Sequence, residues 1–279
     1  ANYTINATQR LNVKYFNILG DRNSVGYFPS GGIVIPDEPN PATGEYANRT
    51  VDIDNYRNQG IEARYLLGYP IGGAGQNLSL GARYFAGNTF RYRGGKGTTG
   101  THYDLALVDG GYTADIDYLS QNVALFAENL FSLSDRFIVI PGVRYEYLFA
   151  EAGGYSGVVN GSPVPLVAQQ RGRSFLLAGL GMEYAVTQNA RLYANATQSY
   201  RPVQFADLTT PPTTDVIDPN LTDASGLNID LGLRGEQGDW LVFDVSLFHL
   251  DYKNRVGTIK QQRQDGTFYN LRTNVGASS

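Results

Sequence analysis

Five side chains stand where the pattern of this sequence breaks. Arg91, Arg93 and Lys96 flank or enter a glycine-rich run, and Arg201 and Gln204 lie on either side of Pro202-Val203. Guanidinium and ammonium groups make charge-assisted bonds to carboxylates, and Arg can do so through two parallel N–H donors. Such donors recognise an anionic ligand without breaking any bond in it. The sets that would do covalent chemistry are incomplete. The run Gly94-Gly95-Lys96-Gly97-Thr98-Thr99-Gly100 has the Lys misplaced for a phosphate loop, and no helical pattern follows it. His102 and His249 are the only histidines and lie far apart, so they do not make a zinc site. Asp104, Asp109, Asp115 and Asp117 lack calcium-loop spacing. With no Cys there is neither a thiolate nucleophile nor a disulfide framework, and no G-x-S-x-G elbow supports a Ser/His/Asp set. The residues point to binding, not to an enzyme, with no cofactor and no metal centre.

The elements that must position these side chains are read from alternation. Ile61, Ala63, Tyr65, Leu67 and Tyr69 share one face of a strand and Glu62, Arg64 and Gly68 the other. The same period of two runs through Leu78–Tyr84, Phe137–Tyr147, Ser174–Tyr184, Leu227–Arg234 and Leu241–Leu247. Thr8–Leu19 reads as strand as well. Short turns at Pro70–Gln76, Ser132–Asp135, Val186–Asn189 and Glu236–Asp239 alternate with long polar loops at Asp21–Asn48, Asn88–Asp117, Glu151–Arg173 and Pro202–Gly226. Sorting of loops by length along the chain is the habit of an up-and-down membrane barrel, with short turns at one rim and long loops at the other. A soluble sandwich has no reason to sort its loops this way. About nine full strands and a partial tenth near Phe268–Gly276 are expected.

Composition agrees. Charged residues make up only 17% of the chain, against roughly 25% in an ordinary soluble protein, and there are 33 Gly and 20 Tyr. Tyr belongs at the two interfaces of a membrane barrel. A net charge of −4 argues against a nucleic-acid partner, which needs a clustered basic face. No apolar stretch is long enough for a transmembrane helix. The start, Ala1-Asn2-Tyr3-Thr4-Ile5, has no basic end and no apolar core of the kind a signal peptide carries.

Three segments carry a family resemblance. The first is Asn122-Val123-Ala124-Leu125-Phe126-Ala127-Glu128-Asn129, followed by Leu133-Ser134-Asp135-Arg136 and Ile140-Pro141-Gly142-Val143-Arg144-Tyr145-Glu146-Tyr147. The second is Leu192-Tyr193-Ala194-Asn195 leading to Ser199-Tyr200-Arg201-Pro202. The third is Asp218-Pro219-Asn220-Leu221, then Leu231-Gly232-Leu233-Arg234-Gly235 and Asp244–Arg255. In this order and at hairpin spacing they resemble the barrel of TonB-dependent outer-membrane receptors. Asp21–Gly26, Asn58–Glu62 and Arg201–Leu208 are similar to the ferric-dicitrate branch of that family.

The resemblance implies an all-β, antiparallel, up-and-down transmembrane barrel segment, with residues 1–279 supplying about ten strands of a 22-stranded barrel. It implies a bacterial outer-membrane location and import of an iron chelate, a siderophore or ferric citrate, captured by outer loops. The partners it implies are outer-membrane lipid and a TonB-type energy-coupling protein. That protein would be reached through an N-terminal plug and coupling box that are not among these residues. The family's terminal aromatic strand is not among them either, so this segment alone is expected not to close into a pore. A cobalamin or glycan importer is the nearer alternative, and a surface β-sandwich binding module the more distant one. Leu80, Val143, Leu180, Leu231 and Val245 are expected on the outside of the curved sheet, with Arg64, Arg144, Glu183 and Arg234 on its concave side. Arg201, Gln204, Arg91, Arg93 and Lys96 are then the ligand contacts expected at the outer mouth.

Overall fold

A computed structural model describes residues 1–28, 36–166, 169–203 and 216–278. Among these residues there is no helix. The strands are β1 (Asn2–Asn6), β2 (Gln9–Gly26), β3 (Thr50–Ile71), β4 (Ala74–Gly97), β5 (Leu107–Asp109), β6 (Ala114–Ser132), β7 (Phe137–Val159) and β8 (Ser162–Pro165). They continue with β9 (Gln169–Ala185), β10 (Ala190–Arg201), β11 (Val216–Ile217), β12 (Ala224–Gln237), β13 (Leu241–Lys253), β14 (Val256–Gln262) and β15 (Phe268–Asn274).

One antiparallel sheet runs β1-β2-β3-β4-β6-β7-β9-β10-β12-β13, with β5 added to the end of β4 and β8 to the end of β7. Neighbours in space are neighbours in sequence, the up-and-down order that the sorted loops implied. The sheet is open, with β1 and β13 at its edges. The short connections are tight because the residues suit them. Gly72 and Gly73 both have positive φ, at 59° and 87°, between the paired residues Ile71 and Ala74. That is the backbone of a two-residue primed hairpin turn.

Two expectations are corrected. The partial tenth strand read at Phe268–Gly276 is not in the main sheet. It is β15, which pairs with β14 and, in parallel, with β11 in a separate three-stranded sheet. The tenth strand of the main sheet is β1, at the other end. The long loops are also shorter than Asp21–Asn48, Asn88–Asp117 and Glu151–Arg173 suggested. β3 has 22 residues and β4 has 24, against the 9–11 that a tilted strand needs to cross a bilayer. The Gly, Asp and Arg of these stretches continue the ladders instead of leaving them.

Register settles the two faces. Leu80 stands opposite Ala127, Val143 opposite Ala178, Leu180 opposite Ala196, Leu231 opposite Leu247 and Val245 opposite Leu233. These residues are exposed on one face, Val245 by 68%. Arg64, Arg144, Glu183 and Arg234 fall on the opposite face. There, side chains reach over an intervening strand, as they do on the concave side of a curved sheet. Arg234 meets Glu183 across β10, and Tyr193 donates to Asp244 across β12 at 2.8 Å. Gly81 makes room for the Phe126 ring, which comes within 2.0 Å of where a Cβ would stand. Arg64 and Arg144 lie 5.4 and 5.2 Å from the centre of that ring.

The loop end is interlocked. Arg49, 5% exposed, bonds both carboxylate oxygens of Asp37 at 2.7 and 2.9 Å and lies over Tyr46 at 5.0 Å. Its backbone and Nε fasten the first long loop to the second through Thr98, Gly97 and Gly100.

Candidate functional site

Among the described residues the most heavily charged point of the loop end is Asp54. It stands directly opposite Arg22 on β2 and Arg91 on β4, so one carboxylate faces guanidinium groups on both neighbouring strands. Arg91 Nε donates to Oδ1 at 2.9 Å, Arg93 Nη2 to Oδ2 at 2.7 Å, and Arg22 Nη2 lies 2.9 Å from Oδ2. The Asp54 side chain is fully covered. The Tyr56 hydroxyl adds a bond of 3.2 Å, and Arg93 also lies 3.7 Å from Asp52. Asp54 and Arg91 lie well beyond the 9–11 bilayer-crossing residues counted from the Gly72-Gly73 turn. Burial works against the Asp54 carboxylate, but hydrogen bonds from Arg93 and then Arg91 outweigh it and hold its pKa below the ordinary value. Burial likewise opposes the Arg91 charge, and the bond to Asp54 more than restores it.

Arg91 lies 5.4 Å from the centre of the Tyr118 ring and forms one wall of a cavity of about 360 Å³. Tyr56, Ser120 and Thr89 add hydroxyls, and Arg173, Pro202 and Val203 close the far side. Arg173 on β9 is ion-paired to Asp223 and donates to the Val203 carbonyl at 2.9 Å, while the Val203 amide donates to Asp223 at 2.7 Å. The end of β10 is thereby pinned against β9, so residues far apart in sequence share one recess. The recess offers two guanidinium groups and several hydroxyls on the concave face. That chemistry suits a carboxylate- or phenolate-bearing anion.

The sequence candidates fare differently. Arg91 and Arg93 are brought together, yet they sit within β4, bonded to Asp54, and do not stand free at a loop entrance. Lys96 lies apart, half-exposed on the rim and 3.5 Å from Asp109. Arg201 ends β10 opposite Ala224, two residues before Val203 of the cavity. Gln204 lies outside the described residues. Sequence reading missed Arg22, Asp54, Arg173 and Asp223. Their one visible signal was parity: Asp52 and Asp54 alternate with Val51 and Ile53, as Arg91 and Arg93 do with Tyr92.

A family model, the β-barrel of TonB dependent receptor-like proteins, matches residues 1–279, and the chain belongs to this family. A TonB-dependent receptor of Haemophilus influenzae is 30% identical over 139 residues, covering 50% of this chain and 37% of that protein. The ferric citrate transporter FecA, unliganded, superposes with a TM-score of 0.69 at 18% identity, over 95% of this chain and 35% of its own. The ferric-catecholate import receptor Fiu of E. coli K12 gives 0.67 at 16%, over 96% and 41%. The copper transporter OprC gives 0.69 at 13%, over 97% and 40%. The chain therefore spans little more than a third of the length of these proteins. It is a segment of an outer-membrane barrel wall, with the short turns at the periplasmic rim and the Asp54 cluster at the outer one.

Proposed function

We propose that this wall belongs to an energy-coupled importer that captures an anionic iron chelate at its outer mouth, without chemical change to the cargo. The observation that carries the reading is the recess in which Arg91 and Arg173 face a common space with Tyr56 and Tyr118. Carboxylate or catecholate oxygens are acceptors, and this is a donor-rich site. FecA and Fiu, whose names refer to ferric citrate and ferric catecholate, share the fold and add support for the cargo class. The ferric-dicitrate branch is the finer proposal, resting on Asp21–Gly26, Asn58–Glu62 and Arg201–Leu208. A TonB-type protein would supply the energy through a plug domain, as in the rest of the family. Copper, the cargo in the name of OprC, has less support here, since soft thiolate and thioether donors amount to one Met and no Cys.

The test is equilibrium binding of ferric citrate and of a ferric catecholate to the complete receptor, comparing Arg173→Ala and Arg201→Ala with the membrane-face change Leu180→Ala. Loss of a charged contact costs about 1.5–3 kcal/mol, roughly ten- to a hundredfold in affinity. Affinities equal to Leu180→Ala in both arginine variants would remove the anionic cargo from this wall.

A further inference from the structure

Two strands of the wall part before they end. The β9–β10 ladder runs from Arg191↔Ala185 to Thr197↔Gly179 and stops there among the described residues. Yet β9 continues to Gln169, held by β7 as far as Ala152↔Gln169, and β10 continues to Arg201, held by β12 as far as Arg201↔Ala224. A wedge opens between them toward the outer rim. One rung is replaced by a side chain, the Ala178 amide donating to Gln198 Oε1 at 2.9 Å. Tyr200 spans the rest. In register it shares the membrane face with Ser225, yet its ring stacks on Phe175 at 3.9 Å and its hydroxyl bonds Glu146 on the lumen side.

On the membrane face the wedge forms a notch of about 550 Å³ lined by Ser174, Leu176, Gln198, Leu227, Asp251 and Lys253, among others. Gln198 pairs with Leu227, and Leu227 with Asp251, which puts all three on the face of Leu231. Going outward on that face, β9 reads Met182, Leu180, Ala178, Leu176, then Ser174. β12 reads Leu233, Leu231, Ile229, Leu227, then Ser225. β13 reads Val245, Leu247, His249, Asp251, Lys253. The change from apolar to polar falls at the notch on all three strands, so the notch lies where acyl chains give way to headgroups in the outer leaflet.

We propose that the notch is a binding site for a membrane glycolipid, its acyl chain lying on Leu176 and Leu227 and its sugar headgroup entering the wedge. Among the described residues the β9 edge facing the wedge has no ladder partner beyond Gly179. A strand edge carries both N–H and C=O groups, and backbone groups near the hydrocarbon need partners. Asp251 can only accept and Lys253 can only donate, and they lie 3.6 Å apart. Sugar hydroxyls donate and accept, so they satisfy both kinds of group. A bare phosphate headgroup accepts only, and offers the β9 carbonyls no donor.

The experiment places the complete receptor in phosphatidylcholine nanodiscs with a small fraction of a photoactivatable lipid, diazirine on the acyl chain. One arm carries a disaccharide headgroup and the other phosphocholine, and crosslinked peptides are identified by mass spectrometry. The glycolipid is expected to concentrate on the 174–178 and 225–229 segments, and the phosphocholine lipid to label the whole apolar belt evenly. Ser225→Trp fills the notch from the membrane side, and Asp251→Asn removes one acceptor while leaving the shape. Each is expected to lower glycolipid labelling there by about tenfold, the scale of one lost hydrogen bond to a charged group. Even labelling by both lipids overturns the proposal. So does a notch that no lipid labels because a protein segment fills it, or a preference unchanged in Asp251→Asn.

Discussion

The β3–β4 and β9–β10 hairpins begin alike and end differently. Both start from short turns at the periplasmic rim. β3 and β4 stay paired from Ile71↔Ala74 to Thr50↔Lys96, with a single irregularity between Val51 and Ile53. β9 and β10 separate beyond Gly179. Close to the turns the bilayer favours pairing, because an unpaired backbone group there has no water to turn to. Farther out, side chains decide. On β3 and β4 the opposite charges sit on adjacent strands, so Asp54 with Arg22, Arg91 and Arg93 zips the ladder outward. On β9 the corresponding guanidinium, Arg173, reaches past β10 to Asp223 just before β12. The ion pair spans a strand instead of joining neighbours, and the ladder beneath it splits.

The largest expected effect breaks the zipped end. Asp54→Ala leaves three guanidinium groups converging on a point where, among the described residues, Asp52 is the carboxylate that remains in contact. Removing one partner from a covered ion cluster costs about 3–5 kcal/mol. Hydrogen exchange on the complete receptor should show the outer halves of β3 and β4, residues 50–58 and 87–96, losing protection. Residues 60–70, which lie at bilayer level, should keep theirs. Equal loss along the whole hairpin would mean that the cluster stabilises the barrel globally, and the contrast between bilayer and side-chain control would fail.

Acid should reach the same end more gently. The folded pKa of Asp54 lies below its ordinary 3.8. Above 3.8 the carboxylate is ionised both when the end is zipped and when it is open, so the contribution is fully present there. As pH falls below 3.8 the open form takes up its proton first, and stabilisation declines until the pH has passed through the lower folded value. Proteolysis or exchange at 50–58 should therefore rise only below about pH 4, and Asp54→Asn should abolish the rise. A transition near neutrality would assign the outer end to some other group.

These tests also mark what the sequence made legible. Alternation with sorted loops was enough for the sheet order and the two faces, because a slip of one residue would have exchanged Leu231 with Asp230. It failed at the outer ends, where Gly, Asp and Arg look like loop composition yet are strand. Nothing local distinguishes a solvated Asp54 from one clasped across two ladders. That difference arises only when Arg22 and Arg91 arrive opposite it. Arg173 and Asp223 are 50 residues apart, and no periodicity links them. The β9–β10 split was invisible for the same reason, since both strands keep their alternation through it.

The smallest expected effect lies on the lumen wall. Glu183 is shared by Arg191 and Arg234, and both guanidiniums are about half exposed while the carboxylate is mostly covered. Arg191→Ala leaves Glu183 with Arg234 and with water, so the loss should be about 0–1 kcal/mol, as for an exposed pair. Asp54 has no such reserve, being closed off from solvent. The measurement is the midpoint of heat-induced unfolding of the complete receptor in detergent, read beside Asp54→Ala at low and high salt. A small shift that shrinks further in salt keeps the wall in the class of screened surface pairs. A loss as large as that of Asp54→Ala would mean that the space before this wall excludes water. The contrast between the two carboxylates would then belong to whatever fills the lumen, and not to their places on the strands.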